Sequence, residues 1–216
     1  MARADIIHIV DDDPGVRDSL RVLLESAGFA VATHESAAAF LTVSPEPSGC
    51  VITDVRMPGM DGLELQGRLN DGRVRLPVIV MTGQGDIPIA VRAMRAGAVD
   101  FLEKPFEEAQ VLDAVRRGLQ ESRTVQEERA AAAEAVAKLA SLTPREREVL
   151  DLLVTGLPTK AIARELGASP RTIEVHRGRV LEKMQARSLP ELVRLVLAAT
   201  AHRKPGQHAL TRSGTN

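Results

Sequence analysis

The chain has 216 residues, long for one small domain and suited to two. Its single cysteine, Cys50, leaves no disulfide framework or cysteine cluster, no apolar run approaches the roughly 18 residues of a membrane span, and the N-terminus lacks a signal-peptide core. These features point to a soluble protein of a reducing cytoplasm with no membrane partner. The formal charge of −1 conceals an asymmetry: residues 1–123 carry 13 Lys and Arg against 19 Asp and Glu, whereas residues 124–216 carry 15 against 10. An acidic half joined to a basic half fits a metal- or phosphate-handling switch coupled to a nucleic-acid reader.

In chain order, Ile6 to Val10 is a short β-branched strand ending in Asp11-Asp12-Asp13-Pro14-Gly15. Asp13 and Pro14 read as N-cap and first position of a helix carrying Val16, Leu20, Leu23 and Leu24. A strand over 29–33 and a short helix from Ser36 follow. The apolar run Val51-Ile52-Thr53 then delivers Asp54 to a turn marked by Met57-Pro58-Gly59. A helix over 62–70, a strand over 77–81, a helix opened by Asp86 as N-cap, a strand over 99–102 and a helix over 107–120 complete the pattern. Five strand–helix alternations in about 120 residues predict a doubly wound, flavodoxin-like parallel sheet. Right-handed crossovers place the ends of strands one, three, four and five on one rim.

That rim gathers Asp11, Asp12, Asp54, Thr82 and Lys104. Three crowded carboxylates call for a neutralising cation, and an all-oxygen set suits Mg²⁺ with several retained waters. Asp54 can then serve as a nucleophile that becomes an acyl phosphate, with Lys104 and Thr82 addressing the phosphoryl oxygens. Taken singly, each element is weak: the acidic run could be a solvated loop and Asp54 a strand-closing carboxylate. Five such groups brought to one rim together carry more than any one of them. A phosphatase of the haloacid-dehalogenase type needs a second Asp two residues after the nucleophile; Arg56 stands there, so the chain reads as a regulator and not an enzyme.

At these residues the sequence resembles the receiver domain of two-component response regulators over about residues 5–121. The resemblance implies that Asp54 is the phosphoacceptor and that Asp11, Asp12, Asp54 and the Arg56 carbonyl hold Mg²⁺. It further implies Thr82 as the switch hydroxyl, Lys104 as the phosphate-binding lysine with a cis bond to Pro105, and Phe101 as the aromatic switch residue. A histidine kinase is the implied phosphodonor. The loop Gly83-Gln84-Gly85-Asp86-Ile87-Pro88 is similar to that of the FixJ/NarL class. In that class phosphorylation would remodel the face of the helix from Asp86 and the strand carrying Phe101, with Val91 and Arg95 in a homodimer surface.

Residues 121–140 have high helix propensity without Gly or Pro and predict a helical linker, continuous with the preceding helix or separate from it. Thr143-Pro144-Arg145-Glu146 is a capping box, Thr159 to Leu166 a short helix ended by Gly167, and Ser169-Pro170 the start of a helix to about Met184. Ser188-Leu189-Pro190-Glu191 is a second capping box that opens a last helix. Four helices with a tight turn between the second and third outline a helix-turn-helix domain. In the third helix Ile173, His176, Val180 and Met184 share one face and basic groups lie elsewhere, as a recognition helix requires.

The strings Thr159-Lys160-Ala161-Ile162-Ala163-Arg164-Glu165-Leu166-Gly167 and Arg171-Thr172-Ile173-Glu174-Val175-His176-Arg177 resemble the LuxR-type DNA-binding domain over about residues 141–199. The resemblance implies backbone contacts from Lys160, Arg171, Arg177 and Lys183, with Glu174, Val175 and Gly178 facing bases. Many relatives carry Lys at the place of Glu174. This Glu either accepts from cytosine or orients a neighbouring Arg. His176 is either a packed histidine or a contact, and Gly178 offers close approach. The absence of Trp and Tyr argues against single-strand binding by stacking, leaving double-stranded DNA as the partner.

The expected organisation is a receiver over 1–122, a linker over 123–140, the DNA-binding domain over 141–203 and a disordered tail over 204–216. The expected function is a transcription factor whose phosphorylation at Asp54 switches dimerisation and promoter binding, with RNA polymerase as a downstream partner. Two alternatives stay open: a phosphorylation-independent DNA-binding dimer with the receiver as scaffold, and a phosphotransfer sink with vestigial DNA binding.

Overall fold

The computed structural model describes residues 5–43, 48–71, 75–83 and 86–201. The expected tail over 204–216 and the loop residues Gln84 and Gly85 lie outside them. The N-terminal unit, residues 1–126, carries strands β1 (Ile6–Val10), β2 (Ala30–His34), β3 (Gly49–Asp54), β4 (Val78–Thr82) and β5 (Asp100–Glu103), all parallel in the order β2-β1-β3-β4-β5. Between them run α1 (Pro14–Ser26), α2 (Ala37–Thr42), α3 (Gly62–Asp71) and α4 (Ile87–Arg95), followed by α5 (Glu108–Ala140). The expected α/β alternation is therefore present, with boundaries moved by one or two residues.

Alternation along the strands decides the two faces. Ile7, Ile9, Cys50, Ile52, Ile79 and Met81 pack against Leu20 and Leu24 of α1 and Val111, Val115 and Leu119 of α5. The intervening Val10, Val51, Val78 and Val80 pack against Phe40, Leu65, Leu69 and Ala93 from α2, α3 and α4. A period of two buried on both faces is what a parallel sheet between helical layers demands. Burial pushes the Cys50 thiol up to about 12, with the Asp5 charge adding to it, so this cysteine is packing and not reactive.

The register aligns the rim. Val10 pairs with Thr53, Asp54 with Met81, and Thr82 with Glu103, so Asp11, Asp54 and Lys104 leave the sheet at one level. The Lys104 N–H donates to the Thr82 carbonyl at 2.8 Å, and the Lys104–Pro105 peptide is cis, as the receiver resemblance implied. Gly62 starts α3 directly beneath the site. A Cβ there would lie 2.2 Å from the Asp54 carbonyl oxygen, so only glycine admits the helix so close.

The linker helix is not separate: α5 runs unbroken for 33 residues, and the boundary between the two units, at Gln126 and Glu127, falls inside it. In the C-terminal unit α6 (Pro144–Leu153), α7 (Thr159–Glu165), α8 (Pro170–Met184) and α9 (Leu189–Ala201) enclose Val149, Leu150, Ile162, Ile173, Val180, Met184 and Leu192. Thr143 and Glu146 form the complete capping box at α6, and Ser169 accepts from the Thr172 N–H at 3.1 Å at α8. At α9 the box is incomplete: Ser188 accepts from the Glu191 N–H, but the Glu191 carboxylate bonds the Arg187 N–H.

Candidate functional site

At the rim of the sheet two carboxylates converge on one ammonium. Lys104 Nζ lies 2.6 Å from Asp54 Oδ1 and 2.9 Å from Asp11 Oδ2. Asp11 is 1% exposed and Asp54 8%. Each remaining oxygen has a backbone donor: the Arg56 N–H gives to Asp54 Oδ2 at 2.6 Å and the Asp13 N–H to Asp11 Oδ1 at 2.8 Å. Burial raises the Asp54 pKa and the Asp11 charge adds to the rise, whereas the hydrogen bond and charge of Lys104 and the Arg56 N–H oppose it. Burial works against the Lys104 ammonium, but its bonds to Asp54 and Asp11 outweigh that and raise its pKa.

Asp12 stands at the same rim, exposed to solvent, and Thr82 is buried at the end of β4. Among the described residues no three His, Cys, Asp or Glu side chains are arranged as a ready metal cage. Lys104 occupies the space between Asp11 and Asp54 and supplies the cation those two carboxylates need.

The Arg56 side chain and Asp86 show a partnership that sequence reasoning missed. Arg56 Nη2 lies 2.6 Å from Asp86 Oδ1. Asp86 does occupy the N-cap position of α4, but it makes no side-chain capping bond. Its carboxylate reaches the loop after β3 instead, which corrects the capping expectation. Beside this contact, Thr82, Ile87, Val91, Met94, Arg95 and Phe101 line a largely apolar cavity of about 390 Å³. Ile87, Val91, Met94 and Phe101 are between 42% and 71% exposed, an apolar concentration on α4 and β5.

On the other side of the sheet edge, His8, His34 and Phe40 form a three-ring cluster with centroids 5.2 to 5.3 Å apart. His8 Nδ1 and His34 Nε2 are 3.1 Å apart and share one hydrogen bond, while His8 Nε2 is buried without a partner. Burial, with the His34 charge second, lowers the His8 pKa to about 4; burial lowers that of His34 as well.

In the C-terminal unit, α8 presents Arg171, Thr172, Glu174, Val175, Gly178 and Arg179 to solvent, with Arg177 half-buried and Lys160 exposed on α7. No atom lies within 4 Å of where a Gly178 Cβ would stand, so the surface there is open. His176 is half-buried with Nδ1 unpartnered. Lys183 is turned inward: Nζ lies 2.7 Å from Glu146 Oε2 and donates to the Ser141 carbonyl at 3.3 Å. The Lys183 bond, followed by the Thr143 N–H, holds the buried Glu146 carboxyl down at about 2. Arg145 Nη2 donates to the Leu166 carbonyl at 2.6 Å and ties α6 to the turn between α7 and α8.

The sequence matches the response regulator receiver domain over residues 7–116 and the bacterial regulatory proteins of the luxR family over residues 140–196. The chain belongs to the response regulators with a LuxR-type DNA-binding domain. The transcriptional regulatory protein FixJ of Azorhizobium caulinodans is 54% identical over 194 residues, covering 89% of this chain and 92% of that protein. Full-length FixJ from B. japonicum, as a crystal structure, is 47% identical, with a TM-score of 0.55 over 91% of this chain and 98% of the other. The response regulator StyR is 45% identical, with a TM-score of 0.73 over 90% and 99%. This FixJ-like response regulator thus joins a receiver to a DNA-binding domain and acts in transcription regulation. Among the described residues no helix is long and apolar enough to cross a membrane.

Proposed function

We propose that Asp54 is the phosphoacceptor and that its phosphorylation by a histidine kinase drives dimerisation and promoter binding. The convergence of Asp11 and Asp54 on Lys104 Nζ carries this reading, because it places a buried nucleophile beside a fixed positive charge. Asp54 Oδ attacks phosphorus in line with the departing group, and the acyl phosphate oxygens inherit the Lys104 ammonium and the Thr82 hydroxyl as partners. The oxygen set of Asp11, Asp12, Asp54 and the Arg56 carbonyl fits Mg²⁺, which has no preference for nitrogen or sulfur and would offset the charge of the incoming phosphoryl group when bound.

Thr82 and Phe101 line one cavity, so movement of the Thr82 hydroxyl toward a phosphoryl group vacates space that the Phe101 ring can enter. This would reshape the α4–β5 surface around Val91 and Arg95, where a second copy pairs. Moving such an equilibrium from 1:99 to 99:1 takes about 5.5 kcal/mol. Two recognition helices in a dimer then engage two half-sites, with Lys160 and Arg171 on phosphates, Val175, Arg177 and Gly178 toward bases, and RNA polymerase as the downstream partner. The bond of half-buried Lys183 to buried Glu146 supports a role in holding α8 to α6. The receiver is assigned to 1–122, the linker to 123–140 and the DNA-binding domain to 141–203.

Intact mass and oligomeric state after incubation with Mg²⁺ and acetyl phosphate test this. One phosphoryl group and a dimer are expected for wild type and neither for Asp54→Asn. An unmodified wild type, or a dimer irrespective of treatment, leaves the receiver as a scaffold.

A further inference from the structure

The carboxylate of Glu174 is the single acid on α8 between Arg171 and Arg179, a stretch whose other charged side chains are arginines. An acid facing the phosphates of DNA works against the counterion release that gives such a helix its affinity. Its position therefore needs a compensating role. The Thr159 hydroxyl at the start of α7 donates to Glu174 Oε1 at 2.6 Å, across 15 residues of sequence. Arg177 Nη1, one turn along α8, approaches the same oxygen at 3.8 Å. Thr159 does not cap its own helix, because Pro158 holds the N-cap position, so its hydroxyl is free to make this bond.

The structure assigns Glu174 as a positioning residue that braces the start of α7 against α8 and sets the direction of the Arg177 guanidinium, so that sequence is read through Arg177 and not through the Glu174 carboxylate. The bond to Thr159 turns the Glu174 carboxylate back toward α7. From there it restricts Arg177, whose long side chain would otherwise sample many rotamers before meeting a guanine edge or a phosphate. No atom lies within 4 Å of where a Cβ on the following residue, Gly178, would stand, so the helix surface beside Arg177 can approach DNA closely. This assignment rests on DNA binding by α8 and specifies which side chain does the reading.

The test uses the full chain. Wild type first selects duplexes from a randomised library; affinities for the selected duplex and for every single base-pair change are then measured for Glu174→Ala, Glu174→Gln, Arg177→Ala and the double variant Glu174→Ala/Arg177→Ala. Glu174→Ala is expected to lower the ratio of selected to scrambled binding about tenfold, within the range one oriented Arg contributes. It should flatten the same base-pair positions as Arg177→Ala, and the double variant should lose no more than Arg177→Ala alone. Glu174→Gln keeps an acceptor for Thr159 but not the charge on Arg177, and should keep the fold while losing discrimination. Additive losses, or a cytosine position that relaxes in Glu174→Ala and persists in Arg177→Ala, would make Glu174 the reader and overturn the assignment. A wild type that selects no sequence and binds without salt dependence overturns DNA reading by α8 itself.

Discussion

The receiver rim and the recognition helix use similar charged side chains in opposite ways. At the rim Asp11 and Asp54 are almost wholly buried, and their oxygens are held by one shared ammonium and two backbone N–H groups. On α8 the cations Arg171 and Arg179 stand in solvent. Burial makes a charge expensive and its partner obligatory, which fixes individual atoms well enough for covalent chemistry. Exposure makes a charge cheap and uncommitted, which suits a surface that must meet a polyanion. Lys183 and Lys160 divide along the same line, the first bonded to a buried acid and the second free toward solvent.

The largest effect on this contrast is expected at Lys104. Lys104→Ala leaves two adjacent buried carboxylates without their cation and should cost roughly 2–4 kcal/mol in urea unfolding without divalent ions. Added Mg²⁺ should restore more stability to the variant than to wild type. Equal responses would mean that the two carboxylates do not converge.

Next comes acid sensitivity of the His8 cluster. Its folded pKa of about 4 lies below the ordinary 6.5, so the contribution of His8 is fully present above pH 6.5 and is lost as pH falls toward 4. Within that window the unfolded chain binds a proton that the folded one refuses, at roughly 1.4 kcal/mol per pH unit. His8→Phe should flatten the urea-midpoint profile between pH 6.5 and 4. An unchanged slope would place the titrating group elsewhere.

A pair of lysine variants sharpens the comparison within the C-terminal unit. Lys183→Ala should lower its thermal midpoint, since buried Glu146 loses its first partner. Lys160→Ala should leave the midpoint in place, weaken binding to all duplexes alike and reduce the salt slope by about 1. The reverse pattern would exchange their roles. The smallest effect belongs to Arg56→Ala: the lost ion pair, 72% exposed on the Arg side, is worth at most about 1 kcal/mol, and the freed Asp86 carboxylate can cap α4 instead. A net change in urea stability within about 0.5 kcal/mol is expected, and Arg56→Ala/Asp86→Ala, which can neither pair nor cap, should be less stable than the single variant.

Much of this molecule was legible in its residues. The period-two strands, the Asp13-Pro14, Thr143-Pro144 and Ser169-Pro170 helix starts, and the placing of Asp11, Asp54, Thr82 and Lys104 at strand ends all follow from local pattern and crossover handedness. A short-range signal encodes them, so no knowledge of distant neighbours was needed. Tertiary packing decided what each side chain touches. Asp86 has the identity and position of a cap, yet Arg56 approaches from 30 residues away and takes its carboxylate. His8 lies within the first strand, and its shared hydrogen bond requires β2 to bring His34 alongside. Lys183 and Glu174 both lie on a helix whose pattern announces DNA contact, and both turn to partners on other helices, Glu146 and Thr159. A side chain with several possible partners takes the one that the approach of neighbouring elements places within bonding distance, and no periodicity along the chain records that distance.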